Sequence, residues 1–380
     1  PCEICGIRAR RPRPGLAAQH RTALRAAAEV CGAALEGDEL GSMRIRFTPR
    51  ASRAGQYRWA VGTAGATTLV AQTVAVPLLR LSAPSRLRIQ GGSHVAWAPS
   101  LDYLRDLYAP MLALVGWRLE ARLVRYGFYP RGGGEIEVGI GGVGTCSRKS
   151  AADAQPNADH PSGGPARNGP ARSGPSHPFL ILERPPARAI RVTATAVVSS
   201  LPRGIGERMI ATASGILSRG PWRFRSRIEQ AHGPQGTYLF VRVDSGHDDV
   251  PAEPRQARAA ASQAAFGGAS APGDARPLIA GGFTGLGARG KPAEAVAREA
   301  SQEALAFLES EATLDRHLAD QLLLPAALAG CALRFRTTRL TSHLRTNAET
   351  MALFLGPCVF TDRAGAVEVR PPQLDPSAGM

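Results

Sequence analysis

Alternation of apolar and polar residues is clearest where Met43, Ile45 and Phe47 interleave with Arg44 and Arg46, which predicts a half-buried strand. Further strands are expected at residues 57–61, 86–90 and 135–140. Between them the period changes. An Ala-rich stretch over 24–35, closed by Gly37, predicts a helix, and 67–79 and 102–115 predict two more. Strands and helices that alternate in this way mark the first part of the chain as mixed α/β.

The pattern stops at residues 147–178, where there is no Leu, Ile, Val or Phe. Such a segment buries too little to offset the entropy of ordering it, so it is expected to be a disordered insertion. Order resumes with an expected strand at 189–198, a helix at 205–217 and strands at 222–228 and 237–243, before a second low-complexity stretch at 246–277. The expected organisation is a first part of a core at 1–146, the disordered insertion at 147–178, a small inserted α/β domain at 179–277, and the second part of the core at 278–380.

Charge changes the picture more than hydropathy does. Lys and Arg total 46 against 31 Asp and Glu, a net charge of +15 that favours a polyanionic partner such as nucleic acid or a phosphorylated substrate. Only Lys149 and Lys291 are lysines, so codon preference in a GC-rich genome is the competing explanation. The apolar runs break at Gln72, Pro77, Asp320 and Pro325, well short of a membrane span. Six cysteines are too sparse for a disulfide scaffold, Cys2 and Cys5 read as strand residues, and a cytoplasmic location is expected.

Several constellations could carry chemistry. Arg8, Arg11, Arg13, Gln19 and His20 precede the first helix, where an arginine-rich strand and a helix amino end would suit a phosphate; solvated arginines on an exposed strand are the alternative. Gly62 to Thr68 form a glycine-rich turn into the helix that carries Gln72, and the run Gly132-Gly133-Gly134 permits close backbone approach. On a helix, His317, Asp320 and Gln321 share one face, fit for the edge of a purine or for a surface stripe. His343 lies at a strand exit ahead of a helix expected to start at a capping box of Thr346 and Glu349. An imidazole there could attack phosphorus, with Arg345 and the helix end stabilising charge.

Taken together these motifs resemble the RNA 3′-terminal phosphate cyclase family. The pattern Ile-Arg-Ala-x-Arg-x-x-Pro-Gly-Leu-x-x-Gln-His stands at 7–20, Gly-Phe-Tyr-Pro-x-Gly-Gly-Gly at 127–134, Leu-Ala-Asp-Gln-Leu at 318–322 and Ser-His-Leu-x-Thr-Asn at 342–347. Echoes at Gly41-Ser42, Gly91-Gly92, Ala98-Pro99 and Gly285-Leu286-Gly287 keep the same order. The resemblance implies an α/β (α+β) core of repeated β-α units like the C-terminal domain of a translation initiation factor, with a smaller α/β domain inserted. It implies ATP-dependent conversion of an RNA 3′-terminal phosphate to a 2′,3′-cyclic phosphodiester through AMP carried on His343. The implied ATP site is Gln72, Pro99, His317, Leu318, Ala319, Asp320 and Gln321, with His317 where many members stack an aromatic ring on adenine. Arg8, Arg11, Gln19 and His20 would face phosphate and RNA, and a divalent cation, Mg or Mn, would accompany ATP. The family's opening Glu-Gly-Gly-Gly-Gln segment, expected to supply an acidic metal ligand, would precede Pro1. Three other readings fit less well: a non-catalytic RNA-binding relative in ribosome assembly, which would lack the histidine, a truncated inactive cyclase, and a carboxyvinyl transferase of similar repeated architecture.

Overall fold

A computed structural model describes residues 1–141, 179–245 and 275–372. Strand β1 (Cys2–Cys5), helix α1 (Ala18–Cys31), β2 (Ala34–Glu36) and β3 (Arg44–Thr48) come first. They are followed by β4 (Gln56–Ala60), α2 (Thr67–Leu79), β5 (Ser85–Gly91), α3 (Leu101–Tyr103), α4 (Ala109–Leu114), β6 (Leu119–Arg125) and β7 (Gly134–Ile140). A π-helical turn, Leu104–Tyr108, joins α3 to α4. The middle of the chain contributes β8 (Phe179–Glu183), β9 (Arg191–Ser199), α5 (Gly204–Leu217), β10 (Arg223–Ala231), β11 (Gly236–Asp244), β12 (Ala275–Pro277), β13 (Ala280–Leu286) and α6 (Ala293–Leu308). The last elements are α7 (Arg316–Gln321), α8 (Leu323–Leu328), β14 (Ala332–Arg336), α9 (Ser342–Leu355), β15 (Val359–Thr361) and β16 (Ala366–Val369).

One topology recurs. In the sheet β4-β5-β7-β6 the first two strands are parallel and the rest antiparallel, with helices crossing between β4 and β5 and between β5 and β6. The sheet that contains β8-β14-β16-β15 repeats this order and these directions, with α7 and α8 before β14 and α9 after it. The sheet β1-β3-β2 has the strand, helix and hairpin that match the last three strands of the unit. The expected core of repeated β-α units is therefore present.

The second full unit is interrupted between β8 and α7 by a sheet of order β10-β9-β11-β13, carrying α5 and α6 on one face. That face has its own core, in which Val192, Leu239 and Val241 meet Met209 and Leu217 of α5 and Val296 and Phe307 of α6. Alternate residues of the same strands, Val197, Tyr238 and Phe240, turn to the opposite face and join the main core. The boundaries drawn at 179 and 277 are crossed at both ends. Phe179–Glu183 pairs with β14 in the terminal sheet, and Ala280–Leu286 pairs with β11 in the interrupting one. Apolar runs report that a strand exists, whereas its sheet is decided by distant pairing. Ala275–Pro277, placed within the low-complexity stretch, pairs with β8, while the expected disorder at 147–178 and 246–274 lies outside the described residues.

Helix α2 occupies its expected span, 67–79. Helix α1 instead starts six residues before the expected position and ends at Cys31, because Gly32 takes a left-handed φ of 56° and returns its N–H to the carbonyls of Ala28 and Glu29. The tail of the expected helix is β2. Among the described residues, no helix is long and apolar enough to cross a membrane.

Candidate active site

His343 is not ahead of a helix but on its first turn. Thr341, not Thr346, caps α9, its hydroxyl accepting from the N–H of Leu344 at 3.0 Å, so the helix begins one turn earlier than the Thr346/Glu349 pair suggests. The His343 side chain is 78% exposed, and its Nδ1 lies 3.1 Å from Oδ2 of buried Asp320. Asp320 is fixed in turn by its place on α7, and its carbonyl accepts from the Asn347 amide at 3.0 Å. Burial raises the Asp320 carboxyl to about 6, against the opposing pull of His343.

Helix α7 is short, and its orientation rests on a residue that the sequence reading missed. Asp315 caps it, accepting from the N–H groups of His317 at 2.8 Å and Leu318 at 3.0 Å. The same buried carboxylate accepts from the Tyr103 hydroxyl and from the N–H of Gly282, tying α7 to α3 and to β13. An Asp just before a helix is a capping signal that could have revealed it, but Tyr103 and Gly282 carry no such mark. Leu318 and Ala319, expected to line the ATP site, have fully buried side chains in the main core. His317 is exposed and accepts from Nε of Arg316 at 3.1 Å. Gln321 accepts from Nε2 of Gln72 at 2.8 Å, which joins α7 to α2.

The opposite wall is built from loops. The Thr68 hydroxyl donates to the Pro99 carbonyl at 2.8 Å, holding Pro99 over the first turn of α2. Gln19, on the first turn of α1, accepts from the Ala66 N–H at 2.7 Å and so fixes the start of α1 beside the glycine-rich turn. Gly132 packs on that same turn, where a Cβ would lie 2.8 Å from the Cα of Ala64. Thus the loops at 62–66, 92–99 and 127–134 meet at one place.

The arginine-rich segment before α1 is a set of turns, not a strand. Ala9 donates to Gly6, Arg11 to Arg8, and Arg8 itself has a φ of 52°; Pro12 and Pro14 also cannot donate to a ladder. Arg8 reaches the Gly15 carbonyl at 3.0 Å, while Arg11 is exposed in the same turns. Loss of solvent around the ring and the charge of Arg8 hold His20 below the ordinary imidazole range. The first turn of α1 has no side-chain cap, so its N–H groups are offered beside a cationic segment to an anion.

Ser93, His94 and Asp102 mimic a hydrolase triad nearby, with Ser93 Oγ 2.8 Å from Nδ1 and Asp102 Oδ2 3.2 Å from Nε2. All three are buried, the Ser93 hydroxyl also accepts from the Gly127 N–H, and Asp102 accepts from Tyr238 and Arg105. This is a structural pin. No group of three or more His, Cys, Asp or Glu side chains converges for a metal among the described residues.

Repeated β-α units, one of which carries a solvent-facing histidine held beside a buried carboxylate, define an α/β protein with a candidate site at His343. The chain belongs to the RNA 3′-terminal phosphate cyclase family, whose family model matches residues 1–360. Among relatives of that name, one from Salmonella agona (strain SL483) is 35% identical over 361 residues, covering 93% of this chain and 84% of the relative. Others from Gloeothece citriformis (strain PCC 7424) and Koribacter versatilis (strain Ellin345) are 33% and 34% identical, each over 93% of this chain and over 85% and 82% of their own lengths.

Proposed function

We propose that this chain uses ATP to convert an RNA 3′-terminal phosphate into a 2′,3′-cyclic phosphodiester, with His343 as the covalent carrier of AMP. The observation that supports this reading best is the Nδ1–Asp320 pair. A carboxylate on Nδ1 selects the tautomer in which Nδ1 holds the proton, leaving the Nε2 lone pair for attack on the α-phosphorus. The N–P bond forms as the bond from the α-phosphorus to the bridging oxygen breaks, and pyrophosphate leaves. An oxygen of the RNA 3′-phosphate then displaces His343 from AMP, and the vicinal 2′-hydroxyl attacks the activated phosphate, expelling AMP.

Gln72, Gln321 and Asp320 suit the nucleotide, because the amide pair uses one polar atom from each side chain and each amide has a second. Pro99 and His317 offer flat surfaces for the base. Arg8, Arg11, His20 and the start of α1 suit phosphate, and Gln19 holds that start in place. Magnesium or manganese would enter on the triphosphate oxygens, its usual ligands, and no residue of this chain is assigned to it. Incubation with α-labelled ATP tests the reading. Label should be trapped on the protein as a phosphoramidate, stable to alkali and lost in acid, and His343→Ala should trap none while keeping its circular dichroism. Undiminished labelling in that variant would remove His343 from the mechanism.

A further inference from the structure

The most exposed large apolar side chain among those described is Trp97, at 99%, in the loop that leads to Pro99. Its backbone adds to the oddity, with a φ of 65°, a conformation unusual for any residue with a Cβ and costly for a bulky one. The roots of the loop are firmly held. Ser93 and His94 both donate to the Gly127 carbonyl, Leu101 donates to the Ser93 carbonyl, and Thr68 holds Pro99. Between these held roots the ring stands in water.

A second bare ring is rooted on the same residue. Tyr129, 79% exposed, lies in the turn from Gly127 to Gly132, closed by the Gly132 N–H on the Phe128 carbonyl at 2.7 Å. A bridge between His94 and Phe128 sets the two loops side by side. Arg131, in the same turn, is exposed, and the whole chain carries +15. Solvent-exposed aromatic rings with arginine beside them, on a strongly cationic protein, suit a single-stranded nucleic acid: every base has a face to stack, and the arginines track the backbone.

We propose that Trp97 and Tyr129 form a stacking platform for the bases just upstream of the RNA 3′-phosphate, giving affinity for the RNA body without sequence preference. The proposal rests on the reading of the substrate given above. The Pro99 end of the loop belongs to the wall proposed for the nucleotide, and the exposed ring of Trp97 lies two residues before it in the same loop.

The test uses the full chain and a fluorescent ten-nucleotide RNA ending in a 3′-phosphate, compared with the same RNA made abasic at its second and third positions from the end. Anisotropy gives Kd whether or not cyclisation occurs, and cyclisation and ATP-only labelling of His343 are followed separately. Trp97→Ala should weaken binding of the intact RNA about tenfold, the worth of roughly one stacked base, and Trp97→Phe should restore most of it. Tyr129→Ala should weaken it as well. The abasic RNA should bind the wild type as weakly as intact RNA binds the Trp97→Ala/Tyr129→Ala double variant, and that double variant should not distinguish the two RNAs. ATP-only labelling should not change. Unaltered Kd in Trp97→Ala would overturn the platform, and so would independent, multiplying effects of the double variant and the abasic positions. Slower labelling with a raised KM for ATP would give the ring to adenine instead, and a change in oligomeric state would give it to a second copy. If the wild type binds RNA with these dependences but forms no cyclic phosphate, the reading of the reaction fails while the platform stands.

Discussion

The side-chain amide of Gln72 donates to that of Gln321 at 2.8 Å, although 249 residues separate them. One belongs to α2, in the first complete β-α unit, and the other to α7, in the interrupted one. The wall proposed for the nucleotide is therefore a joint between two copies of the same topology, and its geometry depends on how those copies pack.

Gln72→Ala should loosen that joint. A half-buried hydrogen bond contributes about 1 kcal/mol, so thermal unfolding should shift by only a few degrees. The larger effect should fall on ATP, with KM rising several-fold and His343 labelling at saturating ATP little changed. Equal ATP dependence in wild type and variant would show that the amide pair is structural only.

Asp320 sets a pH dependence whose sign can be worked out. Its carboxyl, raised to about 6, is ionised above that pH and holds Nδ1–H of His343; below it the carboxyl protonates and the acceptor is lost. Labelling of His343 should therefore fall as pH drops through about 6. Stability should move the other way. A group whose pKa is higher folded than unfolded binds its proton more tightly in the native state, so stability declines as pH rises from about 4 to about 6. Asp320→Asn removes the buried charge and should raise the melting temperature above pH 6 while cutting the labelling rate by roughly tenfold or more. A variant that labels at the wild-type rate would show that the carboxylate does not position the imidazole.

Much of this site was legible in the sequence because local rules decide it. The spacing of His317, Asp320 and Gln321 is a helical period, and helix α2 announces itself by a mostly apolar stretch that follows the glycine-rich turn. Where the reading failed, long-range contacts won. Leu318 and Ala319 share the motif of Asp320 but face the core, and the turns at Arg8 to Arg13 follow from backbone geometry that arginine content does not report. The sheet membership of Phe179–Glu183 and Ala280–Leu286 is likewise set by partners far along the chain.

The pin that joins the interrupting sheet to the main core should be costly to break. Asp102 is buried, yet Arg105, His94 and Tyr238 hold its carboxyl well below the ordinary range, with Arg105 Nη2 at 2.6 Å. Asp102→Ala leaves that guanidinium without one of its two carboxylates and should destabilise the protein by about 3–5 kcal/mol in denaturant unfolding. Tyr238→Phe removes one hydroxyl and should cost about 1–2 kcal/mol. Because the pKa is lowered on folding, the Asp102 contribution is present above the usual carboxylate range and fades as pH falls through the lowered value. An Asp102→Ala variant as stable as the wild type would mean that the two cores hold together without it.

Asp315 separates orientation from stability, because it supports α7 without reaching the reacting atoms. Asp315→Ala removes the cap of α7 and strands the hydroxyl of Tyr103 and the N–H of Gly282, so both stability and nucleotide binding should suffer. Tyr103→Phe deletes one donor but leaves the cap intact; it should cost about 1 kcal/mol of stability with KM for ATP near the wild-type value. The double variant should lose less than the sum of the two, since the Tyr103 bond is already gone once Asp315 is removed. ATP titrations and denaturant unfolding on the four proteins check this. A Tyr103→Phe change that shifts KM for ATP as far as Asp315→Ala would mean that α7 is oriented through Tyr103 and α3 and not by its own cap.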